Sequence, residues 1–213
     1  MRVIFMGTPD FAVGTLQALL QSEHEVVAVV TQPDKPKGRG KAMQFTPVKE
    51  VAAEAGIPVL QPKKVREEAV VEELKSYRPD VIVVVAFGQL IPKSILEMPK
   101  YGCVNVHASL LPKYRGAAPI QWAVIDGEEK SGVTTMQMDE GLDTGDMLLT
   151  EEVTLDPEET GGSLFDKLSQ VGAQLLLKTL DALENGTVTP QKQPAESTTA
   201  YAAMLNKKMG EID

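Results

Sequence analysis

An asparagine and a histidine two positions apart, Asn105 and His107, are the side chains of this sequence best placed for chemistry. They close the apolar run CVNVH, which is typical of a buried strand, and residues i and i+2 of a strand project from the same face. The amide of Asn105 and a protonated imidazole of His107 would then both donate to one oxygen. Two donors that converge on one oxygen stabilise the negative charge that develops during acyl transfer.

A carboxylate that could assist these donors lies further along the chain, in the segment GLDTGD. Gly141 and Gly145 allow a tight loop that would push Asp143 towards the histidine. There the carboxylate would favour the protonated imidazole and could accept a proton from an attacking amine. No serine, cysteine or lysine lies in the pattern of an activated nucleophile, so we predict direct attack by an amine without an acyl-enzyme.

Each of these residues also has a plain structural interpretation, which the residue pattern alone leaves open. Asn105 could cap the loop after its strand, His107 could be a hydrogen-bonded structural histidine, and Asp143 could be an ordinary turn residue. From the residues alone, the chain is therefore a transferase whose substrates are not identified.

Several classes of enzyme site are disfavoured by motifs that the sequence lacks. The first β–α turn reads GTPDFA rather than GxGxxG, and neither GxxxxGK[ST] nor GxSxG occurs. The two histidines and the single cysteine, Cys103, offer no zinc-ligand spacing. We therefore predict an enzyme that depends on neither a nucleotide cofactor nor a metal.

Charge and composition predict the kind of partner and the setting. The net charge is −9, but residues 31–49, TQPDKPKGRGKAMQFTPVK, carry five basic side chains against one aspartate. This local excess on an acidic body favours a focused contact with an anionic partner. No apolar run reaches the roughly 20 residues that cross a bilayer, so no membrane contact is expected. With one cysteine, we predict a soluble, cytoplasmic protein, which we expect to be a monomer.

The elements that must position these residues alternate between strands and helices. Four segments have the composition of buried strands, namely 2–7, 24–30, 80–88 and 101–107. The alternation predicts a Rossmann-like α/β fold, with an open, mostly parallel sheet, helices on both faces and an antiparallel hairpin near its carboxyl-terminal part. Ligands of such sheets bind beyond the carboxyl ends of the strands, which would group Gly7, Phe87, Gly88 and residues 105–109 around one crevice.

Several local features are predicted within this fold. Two prolines and two glycines between 31 and 40 predict a long loop. Asp10 is expected to cap the first helix, and Ser163 with Asp166 is expected to form a capping box at the start of the longest helix. That helix is expected to end at Gly186.

The longest motifs, taken in order, resemble one family. They are GTPDFA, TQPDKPKGRGK, VVVAFGQLIP, NVHASLLP and MQMDEGLDTGDML. Together they resemble the 10-formyltetrahydrofolate-dependent formyltransferase superfamily, and within it the methionyl-tRNA formyltransferases. The resemblance implies transfer of a formyl group from the reduced folate 10-formyltetrahydrofolate, the donor cosubstrate, to the α-amine of methionyl-initiator tRNA in translation initiation, without a metal.

The resemblance also implies roles for individual residues. The catalytic residues are Asn105, His107 and Asp143. The residues that bind the folate are Ser109, Leu110, Leu111, Pro112, Phe87, Gly88, Gln89, Leu90 and Asp139. The residues that contact tRNA lie in the 31–49 segment and are Lys37, Arg39 and Lys41. Lys113 and Arg115 are either exposed charges or contacts for a phosphate or for the glutamate tail of the folate.

The resemblance divides the chain in two. Residues 1–189 are expected to form the formyltransferase catalytic domain, and residues 190–213 a linker or tail towards a carboxyl-terminal β-barrel domain that is absent here. Two alternatives for the function stay open. The acceptor could be another amine, such as a sugar-nucleotide amine or glycinamide ribonucleotide, or the chain could be a non-catalytic fragment that binds folate or tRNA.

Overall fold

A computed structural model describes residues 1–211, so the last two residues of the 190–213 segment lie outside the described residues. The strands are β1 (Arg2–Gly7), β2 (Glu25–Val30), β3 (Lys35–Lys37), β4 (Ala42–Gln44), β5 (Val59–Leu60), β6 (Val81–Val85), β7 (Cys103–His107), β8 (Lys130–Gln137) and β9 (Asp146–Thr154). One sheet has the order β5-β2-β1-β6-β7-β8-β9, while β3 and β4 pair separately. Pairing is parallel from β5 to β7 and antiparallel from β7 to β9. The predicted Rossmann-like, mostly parallel sheet is confirmed.

Helices cover both faces of this sheet. They are α1 (Asp10–Leu20), α2 (Pro47–Glu54), α3 (Glu68–Ser76), α4 (Lys93–Leu96), α5 (Pro119–Ile125) and α6 (Gly161–Asn185), with a 3₁₀ turn at Lys207–Gly210. In β1, Val3 and Phe5 pack with α1, α2, α5 and α6, whereas Ile4 and Met6 pack with α3 and α4. This burial on both faces is why the strand segments are continuous apolar runs in the sequence.

Helix α6 supports the back of the strand that carries the candidate residues. Gly172 of α6 faces Val106 of β7, and a Cβ at Gly172 would lie 3.0 Å from Val106 Cγ1. The missing side chain therefore lets the helix approach the sheet closely. Val104 and Val106 are both buried in the core on this side of the sheet, as predicted, so the alternate residues of β7 face the other way.

The long loop predicted for the basic segment after β2 is wrong in part, because β3 and β4 form a hairpin within that segment. Gly38 and Lys41, both with positive φ (72° and 51°), form its turn. All residues of the two strands are exposed. With no face to bury, these strands lack the apolar alternation by which a strand is recognised in a sequence.

Both predicted helix caps are wrong, while the predicted end of α6 is confirmed. Asp10 is the first residue of α1, whose N-cap is Pro9. The capping box of α6 joins Thr160 and Ser163, because the N-cap lies three residues earlier than expected, before a pair of glycines that favour helices poorly. At the other end, Gly186 adopts the left-handed conformation that terminates the helix.

The chain after residue 190 packs back onto the sheet and its loops. Gln193 and Ala202 are buried. Ala202 forms a parallel bridge with Gly116, and Gln191 pairs with Met147 of β9. The functional division of the chain at residue 189 stays a prediction.

Candidate active site

Asn105 and His107 lie at the carboxyl end of β7, as the spacing predicts. Their strand pairs with β6 on one side and with β8 on the other, so the two residues lie at the end of the sheet's interior. His107 is buried and Asn105 is half-buried. Their side chains share the face opposite Val104 and Val106, which leaves them directed away from the α6 contact.

The ring of His107 is held between a backbone carbonyl and a carboxylate. Its Nε2 lies 2.9 Å from the carbonyl oxygen of Tyr114. A carbonyl only accepts, so Nε2 carries a proton. Its Nδ1 lies 3.7 Å from Oδ2 of Asp143. Nδ1 is thus the ring nitrogen that faces the carboxylate, and in the protonated form of the ring it is a hydrogen-bond donor.

The loop between β8 and β9 brings Asp143 to this position, as the glycine spacing predicts. Asp143 adopts a left-handed backbone conformation with φ of 55°. Its Oδ2 accepts a hydrogen bond from the backbone N–H of Gly116 at 2.9 Å. Gly145 lets the loop run against β8, since a Cβ there would clash with the carbonyl oxygen of Gln137. A larger residue at 145 would displace the carboxylate.

Asn105 has an unused acceptor. Its Nδ2 donates to the carbonyl oxygen of Val84 at 3.0 Å. Its Oδ1 is the one buried side-chain nitrogen or oxygen within residues 1–211 that has no hydrogen-bond partner. The expected pair of convergent donors is thus modified, because one amide N–H is committed to β6 and the oxygen is the free atom. A buried acceptor without a partner is costly, so a ligand N–H or O–H is the natural partner for it.

Two cavities meet at these residues. The larger, of about 760 Å³, includes Asn105, His107 and Asp143 in its lining. Apolar side chains form much of its remaining wall, among them Phe11, Ile120, Phe165, Met204 and Leu205. The smaller, of about 420 Å³, shares Asn105 and Asp143 with the first. A group at Asn105 could therefore be reached from both sides.

The smaller cavity contains five of the residues that the resemblance assigns to folate, namely Phe87, Gly88, Gln89, Leu90 and Asp139. The 87–90 segment and the 139–143 loop both contribute to its lining. Leu90 and Leu142 are exposed large apolar residues of this lining. Asp139 shapes the loop, because its Oδ1 accepts hydrogen bonds from the backbone of Gly141 at 2.9 Å and from the Thr144 hydroxyl at 2.8 Å.

Residues 109–112, also assigned to folate, line neither of the two cavities in the part of the chain that the structure describes. Instead they form a turn fixed by the Ser109 hydroxyl, which donates to the Lys113 carbonyl at 2.5 Å, and by the Leu111 N–H, which donates to the Thr134 hydroxyl at 3.1 Å. This turn leads into Tyr114, whose carbonyl oxygen holds His107. A folate-binding role for the members of the turn, Ser109, Leu110, Leu111 and Pro112, stays a prediction.

The basic residues assigned to tRNA all lie on the exposed β3–β4 hairpin and its turn. They are Lys37, Arg39 and Lys41. An ion pair between Lys49 Nζ and Asp34 Oδ2, 2.8 Å long, flanks the hairpin. Hydrogen bonds from Lys49 and then from Gln61 lower the pKa of Asp34 below its usual value. Lys37, Arg39 and Lys41 are all exposed to solvent. Their contact with tRNA stays a prediction.

Lys113 and Arg115, for which two interpretations were open, both have partners within the chain. Lys113 Nζ lies 3.3 Å from Glu128 Oε1. Arg115 donates to the Gln193 side chain at 2.9 Å and to the Pro194 carbonyl at 2.8 Å. Arg115 thus fixes the chain after residue 190, and its role is structural in this conformation.

Several positioning groups of the site have no signal in the sequence. The carbonyl of Tyr114 and the N–H of Gly116 are backbone atoms, which any residue provides. Gln193 lies in a polar, irregular stretch, yet its amide donates to the carbonyl of Asp143 at 2.9 Å. Only contacts between segments distant in the chain reveal these groups.

The described residues hold neither a metal-binding cluster nor a membrane-spanning helix. Within residues 1–211, no group of three or more His, Cys, Asp or Glu side chains is arranged to hold a metal ion. None of the helices described there is both long and apolar enough to span a membrane.

Comparison with known proteins identifies the family. The formyl transferase family profile matches residues 1–180. Over all 213 residues the chain is 68% identical to the methionyl-tRNA formyltransferase of Lachnospira eligens, and it spans 67% of that relative's length. The chain belongs to the formyl transferase family.

Solved structures with the same fold include other formyl transferases. Phosphoribosylglycinamide formyltransferase from Bacillus halodurans is 27% identical, with a TM-score of 0.71 over 86% of this chain and 95% of its own. An N-formyltransferase from Helicobacter canadensis, in complex with folinic acid and dTDP-3-aminofucose, is 20% identical, with a TM-score of 0.69 over 94% of this chain and 70% of its own. The second likeness concerns the fold alone.

Proposed function

We propose that this formyl transferase moves the formyl group of 10-formyltetrahydrofolate to the α-amine of methionyl-initiator tRNA, in the initiation of translation. The observation that carries the proposal is the 68% identity with a methionyl-tRNA formyltransferase along the whole chain. The site geometry supports it, because Asn105, His107 and Asp143 meet where two cavities join. A reaction between two substrates requires such a junction.

The smaller cavity is the proposed site for the formyl donor. The exposed side chains of Leu90 and Leu142 would cover a flat ring system, while the 139–143 loop offers polar groups. Membership of the formyl transferase family supports a reduced folate as the ligand class. The unpartnered Oδ1 of Asn105 fits a substrate that brings an N–H to the junction.

The larger cavity is the proposed site for the aminoacyl end of the acceptor. Phe11 and Phe165, in edge contact with ring centroids 5.5 Å apart, contribute aromatic surface to its wall. Ile120, Met204 and Leu205 add further apolar surface. Such a wall suits an unbranched thioether side chain, and thioethers also make favourable contacts with aromatic rings.

Each residue at the junction of the two cavities has a separate role in the formyl transfer. Asn105 Oδ1 accepts a hydrogen bond from one N–H of the acceptor amine. This contact directs the lone pair of the amine nitrogen to the formyl carbon. His107 donates from Nδ1 to the formyl oxygen, on which negative charge develops as the new C–N bond forms. Asp143 lies beside the same Nδ1 and accepts, directly or through water, the proton that the amine sheds. That proton passes to the nitrogen of the donor when its bond to the formyl carbon breaks.

The basic hairpin is the proposed contact for the tRNA backbone. Lys37, Arg39 and Lys41 are exposed on a protein whose net charge is −9. Because most of the surface repels a polyanion, the hairpin would determine where the nucleic acid approaches. The contact should therefore weaken steeply as salt is added.

The deciding experiment compares acceptors at one concentration of 10-formyltetrahydrofolate. The protein is assayed with methionyl-initiator tRNA, with glycinamide ribonucleotide and with a sugar-nucleotide amine. We expect formylation of the tRNA acceptor alone. Faster formylation of either small amine would assign the chain to a different acceptor. Folate binding without turnover, even at saturating tRNA, would reduce it to a binding fragment.

A further inference from the structure

The chain after residue 190 makes a strap across the candidate active site. We define the strap as residues 191–203. At one end, Gln191 exchanges two backbone hydrogen bonds with Met147, each 2.8 Å long. At the other end, Ala202 donates to the Arg115 carbonyl at 2.7 Å and accepts from the Ala118 N–H at 3.0 Å. The strap thus joins β9 to the 115–118 loop, whose Gly116 N–H holds the carboxylate of Asp143.

One buried side chain of the strap contacts the backbone of the Asp143 loop. Gln193 is 7% exposed. Its Nε2 donates to the carbonyl oxygens of Asp143 at 2.9 Å and of Gly145 at 2.7 Å. Its Oε1 accepts from Arg115, whose Nε and Nη2 lie 3.2 Å and 2.9 Å away. Arginine only donates and carbonyls only accept, so the orientation of this amide is determined.

The conformation of Asp143 explains why such a contact matters. Its φ of 55° lies in the left-handed region, which residues with a side chain adopt only where their surroundings hold them. Gln193 holds the carbonyl of this residue and that of Gly145, two positions on. The carboxylate, which lies 3.7 Å from His107 Nδ1, depends on this backbone for its direction.

We infer that Gln193 is a positioning residue for catalysis, which acts by holding the backbone around Asp143 through its amide N–H groups, on the carbonyls of Asp143 and Gly145. The inference rests on the proposed formyl transfer. Gln193 touches neither of the two cavities in the described residues, so its effect is transmitted entirely by Asp143. A displacement of a catalytic group by about 1 Å can cost about 100-fold in rate, so a large effect from outside the site is expected.

Two substitutions separate positioning from simple anchoring of the strap. Gln193→Glu keeps an acceptor for Arg115 but turns oxygen lone pairs towards the carbonyls of Asp143 and Gly145. Gln193→Met keeps the length of the side chain and removes both functions. Gln191→Met is the matched control, because it makes the same change in the same strap at an exposed side chain.

The measurements are kcat and KM for methionyl-initiator tRNA and 10-formyltetrahydrofolate, with amide hydrogen exchange over residues 139–146. We expect kcat to fall about 10- to 100-fold in both Gln193 variants while both KM values change less than about threefold. Exchange in the 139–146 loop should accelerate, and the control should match the parent in every readout. If the glutamate variant does not fold, Gln193→Met carries the test.

The outcomes distinguish the two proposals. A parent protein without formyl transfer contradicts the proposed function, while the exchange data still test the contact between Gln193 and the loop. An active parent together with an unchanged kcat in Gln193→Met overturns the positioning role. Parental kcat in Gln193→Glu with a slow Gln193→Met also overturns it, because the contact with Arg115 alone would then be sufficient.

Discussion

Replacing Asn105 with leucine should remove most of the activity and leave the free energy of unfolding almost unchanged. The buried Oδ1 has no partner among the described residues, and an unsatisfied acceptor costs about 1–3 kcal/mol. Leucine removes this cost, but it also removes the hydrogen bond from Nδ2 to Val84, which contributes about 0.5–1.5 kcal/mol. The two terms partly cancel, so the net change should be small, near a gain of about 1 kcal/mol or about 2–4 °C in Tm.

The assay pairs thermal unfolding without ligands with the rate of formyl transfer. Turnover should fall about 100-fold or more, because the amine loses the group that orients it. Thr135→Val is the matched control. It also replaces a polar side chain of an interior strand, but its Oγ1 has partners in the Thr179 hydroxyl at 2.7 Å and the Leu149 N–H at 3.1 Å. That control should lose about 1–3 kcal/mol of stability.

Two results would refute this reasoning. If Asn105→Leu is destabilised as strongly as Thr135→Val, the Asn105 oxygen has a partner in the free protein and is not reserved for substrate. If kcat stays within about threefold of the parent, Asn105 does not orient the amine. If activity is lost while stability stays at the parental level, the unpartnered oxygen of Asn105 carries a desolvation cost in the free protein. Only bound substrate then offsets that cost.

Three further predictions concern the surface charges, the response to acid and the single cysteine. Arg39→Gln combined with Lys41→Gln should raise KM for the tRNA acceptor and reduce the slope of log K against log salt by about 2, measured over a salt series. The hydrogen bond from Lys167, followed by that from Ser163, lowers the pKa of Glu159 to about 2. The ionised Glu159 therefore stabilises the fold at pH values above the unfolded pKa, and this contribution is lost as pH falls towards 2. Lys167→Met should therefore flatten the decline of Tm at pH values below 4.5, the ordinary pKa of a glutamate. Burial raises the pKa of the Cys103 thiol to about 12, so a thiol reagent at about pH 8 should react only after denaturant is added.

The sheet could be predicted from the sequence because its interior strands are buried on both faces. Val81–Val85 has no polar residue, and only a strand between two layers of helices requires that pattern. The β3–β4 hairpin could not be predicted, because its residues are exposed and its pairing depends on a turn made by Gly38 and Lys41. The start of α6 was also missed, since Gly161 and Gly162 open this helix against their own helix propensity.

The placement of the candidate side chains was predictable to the extent that it follows from strand geometry and loop length. Asn105 and His107 share a face because the side-chain period of a strand is two, and Asp143 reaches them because its loop is short and rich in glycine. The direction of the Asn105 amide was not predictable. It depends on the carbonyl of Val84 in the neighbouring strand, and a sequence does not show which amide atom a neighbour will use.

The two partners of His107 show why a polar segment far along the chain belongs to the site. Tyr114 and Asp143 are residues with side chains that adopt left-handed φ values of 55°. Each such conformation is unfavourable on its own and persists only under external restraint. The strap supplies a restraint to both, since the Thr199 hydroxyl accepts from the Tyr114 N–H at 2.8 Å and Gln193 holds the Asp143 carbonyl. The strap has the composition of a linker, yet it holds the backbone of Tyr114 and Asp143. The position of the His107 imidazole depends on those two residues.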